Sequence, residues 1–324
     1  MGFCTYYIRC VKMKNITNYA DSLNLSVKDL QAFLLNAPKM YKVYKILKRT
    51  YGYRIIAQPT KQLKEYQRQF TNLFIKYLPV HDCAMAYRKN RNIQKNAEIH
   101  RNNSYLLKMD FENFFNSITP ALFWNEWENA NPDILDKDEK LLFSRLLFWN
   151  PNIKKTKQEN LILSIGAPSS PLISNFVMYR FDELIKEYCV CIGVNYTRYA
   201  DDLTFSTNKK NILYTIPAEV NKNLKNLFNN KLRVNNSKTI FSSKAHNRHI
   251  TGITITNDNK LSLGRQRKRY IRALVHQYKY TQLEKDDIQY LKGLLNFCKS
   301  VEISFIHSLA HKYGYEVLKN IMKE

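Results

Sequence analysis

Acidic side chains are scarce in this chain. Asp and Glu number 27 against 51 Lys and Arg in 324 residues, a net charge of +24. An excess of that size needs a polyanionic partner or a tolerance of self-repulsion, with nucleic acid the first candidate and an anionic membrane surface the second. Glycine and proline are also few, at 8 and 9, which excludes collagen-like and low-complexity chains and argues against an all-β protein dense in tight turns. No apolar run approaches the ~20 residues of a membrane-spanning helix. Met1 to Lys14 carries its basic residues after its short apolar run, so it does not read as a signal peptide. The six cysteines are scattered, without Cys-x-x-Cys or a Cys/His spacing suited to zinc. Free thiols and a cytoplasmic setting are the expectation. What is abundant is core material: 44% apolar residues, 22 Tyr and 17 Phe. That excludes wholesale disorder and suits roughly two domains or one domain with lobes.

Charge and periodicity divide the chain. Leu30 to Lys64 holds no acid and many Lys and Arg. Within it, residues 41–47 and 53–57 read as strands around Arg49-Thr50-Tyr51-Gly52, a basic hairpin. Leu63, Tyr66, Phe70, Leu73, Phe74 and Tyr77 recur at helical spacing, a core-facing stripe. Residues 104–111 read as a buried strand ending in Asp110, and 120–130 and 136–149 as helices. After the stiff segment Gly166 to Pro171, a helix is expected over about 172–188. Residues 194–206 read as two strands meeting at Ala200-Asp201-Asp202. A helix over 218–229, strands near 238–242 and 249–256, and helices near 286–299 and 302–321 complete the pass. Lys260 to Leu283 again lacks acids and carries seven Lys or Arg, a basic helix.

Two adjacent carboxylates between apolar strands have two readings. Asp201-Asp202 on its own suits an exposed turn. It also suits a magnesium site, because that ion takes one or two protein carboxylates together with substrate phosphates. Asp110 shifts the balance. It ends a strand too apolar for a sheet edge, and if the strands share a sheet, three carboxylates converge where two cations could clamp the attacking and leaving oxygens of a phosphoryl transfer.

These residues resemble the reverse transcriptases. Tyr199-Ala200-Asp201-Asp202 is similar to the family's catalytic box. Asp110 to Ile118 resembles the first aspartate motif, Gly166 to Pro171 the primer and template loop, and Asn235 to Thr239 the Asn-x-x-Lys-Thr motif. Asn96-Ala97-Glu98-Ile99-His100 resembles the Asn-Ala-x-x-His element of retron reverse transcriptases, and Ile250-Thr251-Gly252 their Val-Thr-Gly element. Tyr53 to Pro59 and the segment after it are also retron-like, and the similarity covers about residues 40 to 280. Two positions depart from the pattern: Ile165 stands where relatives carry Gln, a residue that meets the incoming nucleotide there, and Ala86-Tyr87 where they carry Gly-Phe.

The resemblance implies an α+β right-hand polymerase, with N-terminal helices and fingers over 1–105, a palm of antiparallel sheet and helices over 106–250, and a helical thumb over 251–324. It implies RNA-directed DNA synthesis with two Mg²⁺ ions on a structured non-coding RNA that is both template and primer, through a 2′-hydroxyl. The product is a branched RNA–DNA molecule, and an effector partner and a role in antiphage defence follow. Asp110 and Asp201 are expected as metal ligands with the main-chain carbonyl of Phe111. Asp202 is expected as a weaker one, since neighbouring strand residues point to opposite faces. Arg54 is expected on the triphosphate, helped by Lys48 and Arg49 unless these are a solvated charge run. Phe115 either blocks a ribose 2′-hydroxyl or packs in the core beside Phe114. Lys238 either neutralises or protonates the leaving pyrophosphate or is a surface lysine. Asn96 and His100, with Arg88 and Arg91 upstream, are expected on an RNA-facing surface together with Thr251 and Gly252. Arg265, Arg267, Lys268, Arg269 and Arg272 cover several helix faces and are expected to grip the duplex backbone. The rivals are another bacterial reverse transcriptase, such as a group II intron or defence enzyme, a non-catalytic RNA-binding scaffold, and a metal-dependent nuclease.

Overall fold

The structure, a computed structural model, describes residues 13–47, 52–152, 160–280 and 283–323. In chain order, helices α1 (Lys14–Ser22) and α2 (Val27–Asn36) precede strands β1 (Tyr41–Leu47) and β2 (Tyr53–Pro59). Helices α3 (Lys61–Phe74) and α4 (Ile93–His100) lead to β3 (Tyr105–Asp110). Next come α5 (Phe114–Ser117), α6 (Pro120–Ala130), α7 (Lys137–Leu147) and the short strands β4 (Phe148–Trp149) and β5 (Ile162–Leu163). Helices α8 (Ser170–Val177) and α9 (Tyr179–Ile192) are followed by the hairpin β6 (Asn195–Tyr199) and β7 (Asp202–Thr207), then α10 (Ile216–Phe228). Strands β8 (Ile240–Ser243), β9 (Arg248–Ile250), β10 (Ile253–Ile255) and β11 (Leu261–Ser262) precede the helices α11 (Arg265–Tyr280), α12 (Lys285–Val301), α13 (Ile303–Tyr313) and α14 (Tyr315–Lys323).

Local signals set many of these boundaries. Ser26, Thr60, Asn92 and Thr119 each accept a hydrogen bond from the first turn of the helix they precede. Asp136 and Glu139 form a reciprocal capping box at α7. Two expected helices are divided and a third is shortened. The one expected over 302–321 breaks at Gly314, whose φ of +101° a side-chain-bearing residue rarely adopts. The helix expected from 172 starts at Ser170 and is interrupted at Met178. The basic helix begins at Arg265, because Leu261–Ser262 pair with β10 instead.

The chain divides into two compact units. One comprises residues 1–87, 111–187 and 217–235. Its core is aromatic: Phe143 meets Tyr19, Phe70 and Phe74, and Trp127 meets Phe74, Phe123 and Phe176. The buried Glu139 carboxylate accepts from the backbone N–H of Asn15 and Ile16 at 2.7 and 3.0 Å, which ties down the start of α1. The β1–β2 ribbon pairs in register from Tyr41↔Pro59 to Leu47↔Tyr53, and the side chains of β1 are largely exposed on both faces.

The other unit comprises residues 88–110, 188–216 and 236–324. Its centre is an antiparallel four-stranded sheet in the order β6-β7-β3-β8. Beside it lies a three-stranded sheet in the order β11-β10-β9. Ala97, Leu106, Ile250, Ile253 and Ile255 form a shared core of α4, β3, β9 and β10. Helices α11 to α14 close a second core around Ile271, Leu291, Leu295, Phe305 and Leu309.

Candidate active site

Strand β3 is central, with β7 on one side and β8 on the other, which accounts for the burial of Leu106, Leu107 and Met109. Its last residue, Asp110, is paired directly with Asp202, the first residue of β7. Directly opposed residues share a sheet face, so both carboxylates stand on one side. The sequence-based placement of Asp202 on the opposite face is therefore corrected. That argument compared neighbours along one strand, but Asp201 belongs to the turn and only Asp202 to the strand. The two-residue turn Ala200-Asp201 joins Tyr199 to Asp202, with Ala200 at φ +56°. Arg198, fully buried, donates from Nη1 to the Ala200 carbonyl at 3.1 Å and so steadies a turn conformation unusual for a residue with a Cβ.

Burial, then the Asp201 and Asp110 charges and a hydrogen bond with Asp110, push the Asp202 carboxyl up to about 7, against an opposing pull from Lys108. Lys108 lies two residues before Asp110 and so on the same face. Burial lowers its pKa, and Asp202 works against that shift. Lys238, just ahead of β8, sets its Nζ 2.7 Å from Asp110 Oδ1 while its side chain stays 57% exposed. An ammonium group thus already occupies the negative end of the sheet. Sequence reasoning missed Lys108 and Arg198; the available signal was a lone cation inside each apolar strand.

The donor set fits a hard cation. Asp110 and Asp202 are paired across the strands and hydrogen-bonded to each other, so their carboxylates converge on one side of the sheet. Among the described residues no group of three or more His, Cys, Asp or Glu forms a ready-made metal cluster. Magnesium needs only one or two carboxylates when substrate phosphates supply further oxygens.

The remaining expected site residues fall into three groups. Phe111, Phe115 and Arg54 belong to the first unit. Phe111 is buried, stacks on Phe114 at 5.4 Å and meets Phe181. Phe114 is therefore the core member of its pair, and the partly exposed Phe115 touches Tyr87 and Phe114 at its edges. Arg54 is exposed on β2; Lys48 and Arg49 lie outside the described residues. Gly166, at φ +124°, would set a Cβ 3.2 Å from the Ala57 carbonyl oxygen, and Ala57 N–H donates to the Ile165 carbonyl at 3.1 Å. The segment around Ile165 is thus laid against β2.

In the second group the structure corrects the sequence. Asn96 and His100 are fully buried and face the four-stranded sheet, not an outer surface. His100 Nε2 lies 2.7 Å from Thr197 Oγ1 and its Nδ1 2.7 Å from Ser206 Oγ. Helical spacing put both residues on one face of α4; it could not say that this face turns inward. Arg91 is exposed and Arg88 partly so. Thr251 and Gly252 form the β9–β10 turn, both at positive φ.

The third group is the basic helix. Arg267 donates to the Gly252 carbonyl at 2.8 Å and lies over the Phe297 ring. Lys268 pairs with the Glu302 carboxylate, and Arg272 lies over Phe305. These three are partly exposed and engaged within the unit, while Arg265 and Arg269 are exposed. No helix among the described residues is long and apolar enough to cross a membrane.

Residues 46–255 match the family model described as reverse transcriptase (RNA-dependent DNA polymerase). The chain is 47% identical over 305 residues to the Retron Ec83 reverse transcriptase of Escherichia coli, covering 93% of this chain and 96% of that one. It is 29% identical over 313 residues to the Retron Ec73 reverse transcriptase of the same organism, covering 93% and 96%. Among solved structures, apo telomerase from Candida tropicalis matches with a TM-score of 0.50 at 11% identity, over 87% of this chain and 63% of that longer one, a likeness of fold alone.

Proposed function

Since the chain belongs to the retron reverse transcriptases and is an RNA-directed DNA polymerase of α+β, right-hand fold, we propose that Asp110, Asp201 and Asp202 form its catalytic group. The observation that carries this reading is the direct pairing of Asp110 with Asp202 beside the Asp201 turn. Asp110 and Asp202, with Asp201 and the Phe111 carbonyl, are the groups that would hold Mg²⁺. Two such ions supply charge neutralisation of the attacking and leaving oxygens when bound.

The chain's own residues do the rest. Lys238 is free to leave Asp110 once that charge is otherwise met, and its exposed ammonium then serves the departing pyrophosphate. Arg54 presents a planar guanidinium suited to triphosphate oxygens, with Lys48 and Arg49 as further candidates. Phe115, the partly exposed member of its aromatic pair, occupies the space a ribose 2′-hydroxyl needs. Arg265 and Arg269, with Arg88 and Arg91, carry the backbone attraction. The substrate pair we infer is a structured non-coding RNA, primed from its own 2′-hydroxyl, and deoxynucleoside triphosphates. A branched RNA–DNA product, a cytoplasmic setting and a role in antiphage defence with an effector protein complete the proposal, as does a division into fingers (1–105), palm (106–250) and thumb (251–324).

The test is charge removal without volume loss. Asp110→Asn and Asp201→Asn are each expected to abolish DNA synthesis and leave RNA affinity within about twofold. Synthesis at the wild-type rate by either variant removes the assignment.

A further inference from the structure

Asn96 and His100 sit in a chain of hydrogen bonds that runs in one direction. Asn103 Nδ2 donates to Ser206 Oγ at 2.8 Å. Thr197 Oγ1 donates to Asn96 Oδ1 at 2.6 Å, and Asn96 Nδ2 donates to Thr251 Oγ1 at 3.4 Å. Because the Thr197 proton is committed to Asn96, His100 Nε2 must donate to Thr197, while Nδ1 lies 2.7 Å from Ser206 Oγ. The chain of contacts links α4 to both strands of the hairpin and to the Thr251 turn. A buried network of this kind favours one geometry.

Its location gives it a role. Strand register puts Thr197 and Ser206 on the same sheet face as Asp110 and Asp202. Ser206 follows Asp202 by four residues, about 13 Å along β7. Helix α4 thus grips both strands of the hairpin whose turn is Ala200-Asp201. At the far end, Thr251 holds φ +43°, a costly conformation for a β-branched residue. The strained turn presents its hydroxyl to Asn96, while the Gly252 carbonyl accepts from Arg267 of α11.

We propose that Asn96 and His100 are positioning residues for polymerisation. They fix the tilt of the β6–β7 hairpin, and with it Asp201 and Asp202 against Asp110, and they tie that tilt to α11 through the Thr251-Gly252 turn. The proposal rests on the three aspartates being the catalytic group. It assigns the Asn-Ala-x-x-His element to the reaction itself, for any template, instead of to recognition of one RNA. Small displacements of catalytic groups suffice to cost large factors in rate.

The experiment uses the full chain and an annealed DNA primer on an RNA of unrelated sequence. Thr197→Val keeps the side-chain shape and removes the hydroxyl that joins His100 to Asn96; Thr197→Ser keeps it. At a temperature well below each variant's Tm, Thr197→Val is expected to lower kcat at least tenfold, with KM for the nucleotide and Kd for the primer–template within twofold. Thr197→Ser is expected to restore kcat to within twofold. Ser206→Ala, which removes the other hydroxyl without adding bulk, is read in the same way should Thr197→Val not fold. Wild-type kcat in a variant that lacks either hydroxyl overturns the proposal. So does loss of affinity for a structured retron RNA with unrelated templates extended normally, which would make these residues RNA readers. Asp202→Asn is run in parallel: synthesis by that variant removes the catalytic assignment itself, whatever Thr197→Val does.

Discussion

Replacing Asp202 by Asn is expected to stabilise the protein while it stops DNA synthesis, and the gain should depend on pH in a defined way. In the fold the Asp202 carboxyl is raised from 3.8 to about 7 by burial and by the Asp201 and Asp110 charges. At about 1.4 kcal/mol for each pKa unit, that difference of roughly three amounts to at most about 4 kcal/mol of destabilisation once the group is ionised. The sign follows from linkage. Below about pH 4 both folded and unfolded chains hold the proton, and no penalty exists. Between about pH 4 and 7 the unfolded chain loses the proton first, so wild-type stability falls as pH rises. Above about pH 7 the full penalty is present. Asn does not titrate, and its amide can donate to Asp110 in place of the shared proton. Urea unfolding of both proteins at pH 4.5, 6 and 8, without divalent cations, measures the gap. The variant should gain on the wild type steadily with pH, by up to about 4 kcal/mol. Magnesium added at pH 8 should narrow the gap by stabilising the wild type. A gap constant across pH, or one that shrinks as pH rises, would refute the reasoning, because it would mean that neither burial nor the neighbouring negative charges hold the Asp202 carboxyl up.

Other outcomes separate core from site. Phe114→Ala should cost about 3–5 kcal/mol of stability by emptying a packed site. Phe115→Ala should cost much less and admit ribonucleotides in primer extension; no gain in ribonucleotide use returns Phe115 to packing. Arg265→Gln with Arg269→Gln should flatten the slope of RNA affinity against salt by about 1.4 in log–log terms, at about 0.7 for each single-strand phosphate that is no longer neutralised. Arg267→Gln should instead lower Tm, because that side chain braces Gly252 and Phe297. Gly166→Ala, placed at φ +124° and 3.2 Å from the Ala57 carbonyl, should displace the 165–166 segment from β2 and reduce extension rate; wild-type rate and Tm in that variant would show that the close approach is not needed.

The three candidate aspartates were legible in the sequence because their context is local. A carboxylate at the end of an apolar strand, and two more where a tight turn passes into the next strand, announce themselves by violating the burial pattern around them. The strands read at 41–47 and 53–57, the strand before Asp110 and the helices read at 120–130 and 136–149 were legible for the same reason, since alternation and helical spacing act over a few residues. Facing is a different matter. Whether Asp202 stands with Asp110 depends on which residue of the turn enters the ladder, and only the cross-strand register decides it. Whether Asn96 and His100 look outward or inward depends on what α4 packs against, which no spacing within α4 records; their partners Thr197 and Ser206 lie some hundred residues away. The same holds for the basic helix, where the sequence shows five cations and the tertiary structure divides them. Arg267, Lys268 and Arg272 are claimed by a carbonyl, a carboxylate and an aromatic ring from other segments, while Arg265 and Arg269 are left to the solvent. The chain by itself thus determined which chemistry is present. Long-range pairing determined which of its polar groups are exposed and which are buried.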